Sequence, residues 1–387
     1  MKILIVHNAY QSQFIGGEDI VVKREVAALK AMLGDANVFE YAVSNDDIKL
    51  GKLFKNIWGD TSHFAAVKTL VENQKINLVH VHNFFPLLTP SVFAAAKSAG
   101  AKVVHTLHNF RWWCLNGTLY REGKGICDEC VGKPLALAGI RHRCYRNSLA
   151  QSTASAAAFA WYRFKEYQRY IDAYFTLSHF QNEKLRPLLG AEKLFYKPNS
   201  IEPVKAQLPL TDKNGYLFVG RLEAAKGIEL LLETWLKLPL TYELTVIGKG
   251  VDEPSLRERY RQSNITFLGQ LPHEQTLSYI AKAKYLVHTS KAFETFGLTM
   301  IEAMARQTPV IGLNLGTRKE MIEHGKNGFL CEESGLVNTI LLSQEYANYE
   351  QMAKAAQNFA SQFYTEPVMS QQVNLYQQLL QEKIYVS

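Results

Sequence analysis

No run of 18 apolar residues occurs in this 387-residue sequence, so it offers no candidate for a membrane-spanning helix. The first residues, Met1-Lys-Ile-Leu-Ile-Val-His-Asn8, hold too short an apolar run for a secretory leader, and no small-residue cleavage site follows. They read as a strand, and a cytoplasmic location is the expectation. The Gly-x-Gly-x-x-Gly turn of dinucleotide-binding domains is missing after that strand, which disfavours a nicotinamide cofactor. Cysteine is scarce, with five residues, and four of them fall between positions 114 and 144.

In bulk the composition is ordinary. Hydrophobic residues make up 47% and charged residues 20%, as in a globular protein, and the length suggests two domains of about 180 to 200 residues each. Charge is unevenly placed. Residues 1–200 carry 25 Lys and Arg against 16 Asp and Glu, giving +9, while the rest carries 18 against 20, giving −2. Between Arg111 and Tyr170 the count is ten basic to four acidic. A basic half suits nucleic acid, an anionic membrane or a phosphorylated substrate, and composition does not choose among them.

The first half alternates apolar strands with amphipathic helices. Strands are expected at Lys2–His7, Asn37–Val43, Leu78–His82, Lys102–Leu107, Ala173–Leu177 and Leu194–Lys197. Helices are expected at Gly17–Met32, His63–Asn73, Thr89–Ala99 and Ser148–Tyr170. This is the pattern of a parallel sheet covered on both faces, a Rossmann-like α/β domain, whose ligands meet the C-terminal strand ends. After the first strand, Gly16-Gly17-Glu18-Asp19 opens a helix; the pair either makes a capped turn or lets a phosphate or sugar approach the backbone. His108-Asn109 directly follows a strand on the cleft side and is a ligand candidate, His105 reads as buried, and His80 and His82 with Asn83 are weaker candidates.

Cys114, Cys127, Cys130 and Cys144 form a Cys-x12-Cys-x2-Cys-x13-Cys series inside an irregular insertion, residues 111–147. Such a knuckle suits a structural zinc held by four thiolates, which would stabilise a loop with little core. Reduced thiols, disulfides or an iron–sulfur cluster are the other readings. Cys331 stands apart as a core residue. Beyond the insertion, basic residues alternate with Trp161, Tyr162, Phe164 and Tyr167 at a helix end, a composition suited to anionic lipid headgroups. A solvated helix with a core stripe would read the same way.

A polar linker from Lys197 to Asn214 leads to a second Rossmann-like half. Its strands are expected at Gly215–Gly220, Glu243–Ile247, Ile265–Leu268, Tyr285–His288, Pro309–Ile311 and Gly328–Cys331, with helices at Ile228–Leu238, Tyr346–Phe363 and Pro367–Glu382. Gly220-Arg221 and Lys226-Gly227 put a guanidinium fork and an ammonium at a strand-to-helix turn, the pairing a pyrophosphate needs. Gly248-Lys-Gly250 and Gly269-Gln-Leu-Pro272 would line the same cleft. The segment His288–Gly312 is the most informative of the chain. It reads as strand, loop and a helix from Leu298 to Arg306, with Thr295-Phe-Gly297 as the first turn, and a helix start suits an anion. Glu294 lies in the loop and Glu302 on the helix, with seven residues between them. One carboxylate can therefore reach a group at the helix mouth and the other a group lying along it, as two hydroxyl-bearing rings joined by phosphates would present.

Gly16-Gly17-Glu18, His108, Gly220-Arg221, Lys226-Gly227 and the Glu294/Glu302 segment together resemble the retaining glycosyltransferases of family 4, which have the GT-B fold of two facing Rossmann-like domains with a cleft between them. The resemblance covers essentially the whole chain and is most specific in its C-terminal part, where Gly316, Glu320 and Gly325-Lys-Asn-Gly328 also fit. The Cys-rich insertion is similar to a subset associated with bacterial surface polysaccharide assembly. The resemblance implies an acceptor domain at 1–200, a nucleotide-sugar donor domain at 201–365 and a C-terminal helix at 366–387 returning to the first domain.

It further implies that Arg221 and Lys226 neutralise a donor diphosphate, Glu302 binds the ribose and Glu294 the donor sugar. Backbone N–H groups of Phe296, Gly297 and Leu298 would meet sugar or phosphate, and His108 would approach the sugar. Gly16 and Gly17 would leave space at the diphosphate, and Gly248 and Leu271 would lie near the base. The donor would be a nucleotide-diphosphate sugar such as a UDP-sugar, and the acceptor a glycan or lipid-linked glycan at the inner membrane face, with peripheral contact to anionic lipid. No Asp-x-Asp pair occurs, so no catalytic metal is expected and zinc would be structural. An epimerase or phosphorylase on a similar scaffold is the enzymatic alternative. A zinc-bearing nucleic-acid-binding protein is the remote one; no nucleic-acid partner is expected.

Overall fold

In the computed structural model, the described residues are 1–10, 17–48, 58–59, 61–250, 253–262 and 264–381. Contacts divide the chain into two units. The first takes the described residues of Met1–Thr118, Asp128–Ser200 and Thr365–Ser387, and the second takes Leu119–Cys127 with Ile201–Tyr364.

Strands β1 (Ile3–Ala9), β2 (Val38–Ser44), β3 (Leu78–Asn83) and β4 (Lys102–Thr106) begin the first unit. A two-residue hairpin of β5 (Tyr120–Arg121) and β6 (Gly125–Ile126) follows and groups with the second unit. Then come β7 (Ala173–Thr176) and β8 (Leu194–Tyr196). The sheet order is β2-β1-β3-β4-β7-β8, and every pairing is parallel. Parallel strands covered on both faces need apolar residues at both parities, and β1 meets this with Ile3, Leu4, Ile5 and Val6 all at 2% exposure or less. One face packs under the helix Gly17–Leu33 through Val22, Val26 and Leu29. The last helix, Thr365–Gln381, adds Met369, Val373, Tyr376 and Leu379 to the same core. The other face meets a cluster of rings, Phe84, Phe93, His105, Trp112 and Phe159.

The helix expected over Ser148–Tyr170 is shorter. Ser148 caps it by accepting the Gln151 N–H, and the helix runs Leu149–Phe164. It ends because Glu166 takes a left-handed backbone (φ 51°), after which Tyr167–Tyr170 form a 3-10 turn.

The second unit contains β9 (Asn214–Val219), β10 (Leu244–Ile247), β11 (Ile265–Gly269), β12 (Ala283–His288), β13 (Val310–Leu313) and β14 (Gly328–Cys331). Its order is β11-β10-β9-β12-β13-β14, again all parallel. Trp235, at the end of the helix Ile228–Trp235, fills the core among Tyr216, Leu232, Leu244 and Tyr260, and Cys331 lies in the same core. The α/β class with two Rossmann-like sheets is therefore present in full. One local expectation is corrected: Thr295-Phe-Gly297 is not the first turn of the helix. Gly297 has φ 86°, a left-handed backbone that cannot continue a right-handed helix, so the helix is Leu298–Ala305.

Candidate active site

In an open parallel sheet, ligands meet the crevice where neighbouring strands send their connections to opposite sides. In the second unit that point lies between β9 and β12, and the loops after these two strands carry the charged residues singled out from sequence. The loops are stitched together by backbone. Ala225 O accepts the N–H groups of Lys291 (2.9 Å) and Ala292 (3.2 Å), and Thr289 Oγ1 donates to Lys226 O (3.1 Å). Gly227 makes this approach feasible: its φ is 67°, and a Cβ there would stand 2.0 Å from Thr289 O.

Held this way, Lys226 Nζ reaches Glu294 Oε1 at 2.7 Å. His288, the last residue of β12, places Nε2 at 3.8 Å from the same oxygen. Behind it lies Arg318, fully buried, whose guanidinium donates to Leu313 O (2.8 Å) and Ser290 O (2.6 Å) and faces His288 Nδ1 at 3.4 Å. Thr317 Oγ1 donates to Glu294 O at 2.6 Å and fixes the loop. Burial alone would raise the Glu294 carboxyl; the Lys226 ammonium and the His288 ring outweigh it and hold the group well below its usual range. Burial takes His288 down to about 3, and Arg318 down to about 10.

Glu302 sits on the helix Leu298–Ala305, 5% exposed, and its Oε1 meets His273 Nε2 at 2.8 Å. His273 opens the helix His273–Lys282, two residues after Leu271, which is half-buried. Gly248 lies just past β10, its N–H donating to Gly269 O at 2.8 Å. Phe296 is buried and packs edge-on against Phe363, with Gly297 and Leu298 half-buried beside it. Arg221 differs from its neighbours: its side chain is 67% exposed and paired with Glu223 at 2.9 Å rather than drawn to the Lys226–Glu294 contact.

In the first unit the corresponding point lies between β1 and β3. Asn83 Nδ2 donates to Asn8 O (2.9 Å), and Asn8 Oδ1 accepts the Leu87 N–H (2.8 Å), tying the two strand ends together. His108, half-buried just past β4, places Nε2 at 2.9 Å from His82 Nδ1. Gly17 is the exposed first residue of its helix, and Gly16 lies outside the described residues. Glu18 is pushed up to about 7 by burial, while Tyr10 OH donates to its Oε2 at 3.1 Å.

The four clustered cysteines are half-buried thiols. Cys114 Sγ donates to Asn116 Oδ1 (2.9 Å), and Cys130 and Cys144 flank a small apolar cluster of Leu115, Ala136 and Ala156. Cys127 closes the β5–β6 hairpin through its N–H on Leu119 O (2.9 Å). Among the described residues, a separate set of metal-type side chains comes together: Glu25, His80 and His82, with ligand atoms within 4.8 Å of one another. Sequence reasoning passed over Glu25, His273, Thr317 and Arg318. A polar residue at a helix start could have pointed to His273, Thr317 and Arg318, whereas Glu25 lies in the middle of its helix and carried no such signal.

Comparison with known proteins relates this region to others of similar sequence and fold. Residues 200–360, which make up most of the second unit, match the family described as glycosyl transferases group 1. A glycogen synthase of Mycobacterium tuberculosis (strain ATCC 25618 / H37Rv) is 27% identical over 223 residues, 53% of this chain and 54% of that protein. The match thus spans about half the length of that relative. An uncharacterized 41.2 kDa protein in the cps region of Klebsiella pneumoniae is 25% identical over 334 residues, 84% of each chain. Among solved structures, a sucrose-phosphate synthase from Thermosynechococcus elongatus superposes with a TM-score of 0.71 at 20% identity, covering 99% of this chain and 100% of that one. Anabaena HepE in complex with UDP-glucose gives 0.65 at 18% identity, covering 97% and 99%. The fold is that of the GT-B glycosyltransferases.

Proposed function

We propose that the chain is a retaining glycosyltransferase of family 4. It would move a sugar from a nucleotide-diphosphate sugar, a UDP-sugar by analogy with the HepE ligand, to a glycan or lipid-linked glycan in bacterial surface polysaccharide assembly. The observation that carries this reading is the Lys226–Glu294 contact at the switch point of the second sheet, inside the region matching group 1 glycosyltransferases. The likeness to a cps-region protein supports the pathway.

Breaking an anomeric bond leaves positive charge on the sugar and negative charge on the departing diphosphate, so groups that stabilise the leaving group supply much of the catalysis. Lys226 takes that role, and Arg221 joins it by leaving Glu223. Glu294 then binds a sugar hydroxyl, and Glu302, already oriented by His273, binds the ribose. His108 is a further proposed contact to the sugar. The departing phosphate takes the acceptor's proton on the same face, which retains configuration. No catalytic metal enters this scheme, a reading that rests on the missing Asp-x-Asp pair. The Cys-x12-Cys-x2-Cys-x13-Cys spacing supports a structural zinc on Cys114, Cys127, Cys130 and Cys144, and elemental analysis of the purified protein measures it directly.

A lipid-linked acceptor is supported by the surface around the helix Leu149–Phe164. Phe164 is 75% exposed and stacks on Trp161, whose ring also meets Trp58 edge-on and lies 4.7 Å from Lys165 Nζ. Arg163, half-buried, is tied back by donating to Trp112 O and Pro134 O. Among the described residues no helix is long and apolar enough to cross a membrane.

The test is a mass-spectrometric assay of the purified protein against a panel of nucleotide sugars, with and without bacterial lipid extract, alongside Glu302→Ala and Lys226→Ala. Sugar transfer or donor hydrolysis lost in both variants supports the reading. No turnover of any donor, with tight nucleic-acid binding instead, overturns it.

A further inference from the structure

The first unit buries a polar network that the proposed chemistry leaves unused. Glu25, from the helix Gly17–Leu33, is 1% exposed. Its Oε2 accepts from Lys197 Nζ at 2.6 Å, and its Oε1 accepts from Gln372 Nε2 at 2.6 Å and faces His82 Nε2 at 3.0 Å. His80 Nδ1 stands 3.2 Å from Oε1 and 2.6 Å from Tyr376 OH, and its Nε2 meets Thr106 Oγ1 at 2.7 Å. Glu25, His80 and His82 have the composition of a metal site, but the Lys197 ammonium already fills the cation position. The chain that leads outward is Glu25–His82–His108.

Proton positions along this chain follow from the chemistry of each group. Lys197 neutralises Glu25, so the carboxylate is ionised and only accepts. Burial would raise Glu25, yet Lys197 and His82 hold it well below its ordinary value. His82 Nε2 must therefore carry its proton. A second proton on His82 would add an uncompensated charge to a side chain with no exposed surface, beside a carboxylate already paired. His82 is thus neutral, its Nδ1 is a lone pair, and His108 Nε2 at 2.9 Å must donate to it. Burial holds the His108 ring well below its ordinary value, so it is neutral and, with Nε2 donating to His82, its Nδ1 carries no proton.

We infer that Glu25 and His82 are positioning residues that lock His108 as its Nε2–H tautomer, with Nδ1 as a hydrogen-bond acceptor. Any group meeting Nδ1 must then donate to it: a sugar hydroxyl can, and a phosphate oxygen cannot. The role of His108 as a sugar contact rests on the proposed transferase activity, whereas the tautomer does not.

The deciding measurement is imidazole nitrogen NMR of histidine-labelled protein near neutral pH, with the His108 ring assigned by correlation to its own backbone. The expected spectrum shows Nε2 protonated and Nδ1 bare on both His82 and His108. A His108 ring protonated on Nδ1, alone or together with Nε2, overturns the inference, and the unmodified protein gives that answer whether or not variants fold. His82→Phe keeps a ring without an acceptor and should leave His108 as a tautomer mixture, with transfer reduced on the order of tenfold. His82→Gln retains a donor and an acceptor and should restore both. An unchanged His108 spectrum in His82→Phe would overturn the relay. Absence of transfer with the expected spectrum would count against the enzymatic reading alone.

Discussion

Lys226 Nζ stands 2.7 Å from Glu294 Oε1, a side-chain contact between the loops after β9 and β12 at the switch point of the second sheet. The ammonium a diphosphate would attract is held by the carboxylate a sugar hydroxyl would need. On the proposed reading, donor entry would exchange one internal pair for two ligand contacts. Lys226→Ala should lower donor turnover by roughly 100-fold or more. Lys226→Arg, which keeps charge but changes shape, should fall between. Turnover within about threefold of the parent for Lys226→Ala would remove Lys226 from the chemistry.

The Glu302–His273 contact predicts a different signature. With His273→Ala the carboxylate keeps its charge but loses its fixed orientation, so donor KM should rise while kcat changes less. Steady-state kinetics with donor varied at saturating acceptor separates the two constants. A selective fall in kcat would place His273 nearer the reacting bond than the ribose.

Carboxylates of opposite shift give stability a two-sided dependence on pH. Glu25 and Glu294 lie below the ordinary value of 4.5 in the folded protein, so their stabilisation is present above that pH and is lost as pH falls beneath it. Glu18 is raised to about 7, so its relative stabilisation is complete below 4.5 and is lost as pH rises through about 7. Glu18→Gln should accordingly raise the thermal midpoint by a few degrees near pH 8 and change little near pH 4. An equal shift at both pH values would show that Glu18 is not titrating.

Gly227→Ala tests the stitching of the loops. The new methyl meets Thr289 O, and the residue must hold a left-handed φ, so a loss of about 2 kcal/mol or more is expected from the denaturant midpoint. Donor binding should fall with it, because Lys226 immediately precedes the strained residue.

Replacing Phe164 by Ser together with Lys165 by Glu should reduce co-sedimentation with vesicles rich in anionic lipid and lower activity on a lipid-linked acceptor. Activity on a soluble acceptor should be unchanged. Equal activity on both acceptors would sink the membrane reading.

The twelve strands of the two main sheets were legible because each is a short apolar run between helices, as strands buried on both faces must be. The β5–β6 hairpin escaped because Tyr120–Arg121 and Gly125–Ile126 are two residues each and carry no periodicity. Glu166 gave no warning that it would end its helix, since no Gly or Pro marks the spot. Lys226, Glu294 and Glu302 could be singled out by their places at strand-to-helix turns and along a helix. Their partners were not: Glu302 meets a histidine 29 residues away, and Glu25 meets Gln372, 347 residues away. Such pairings belong to packing, which local pattern does not record.

The last helix leaves the second unit at Tyr364 and returns to bury Met369, Val373, Tyr376 and Leu379 against β-strands formed by the first hundred or so residues. On the ribosome, the unit that is translated first is consequently the one finished last. Its strands wait, with Glu25 lacking the Gln372 amide, while the whole of the second unit is synthesised and free to fold.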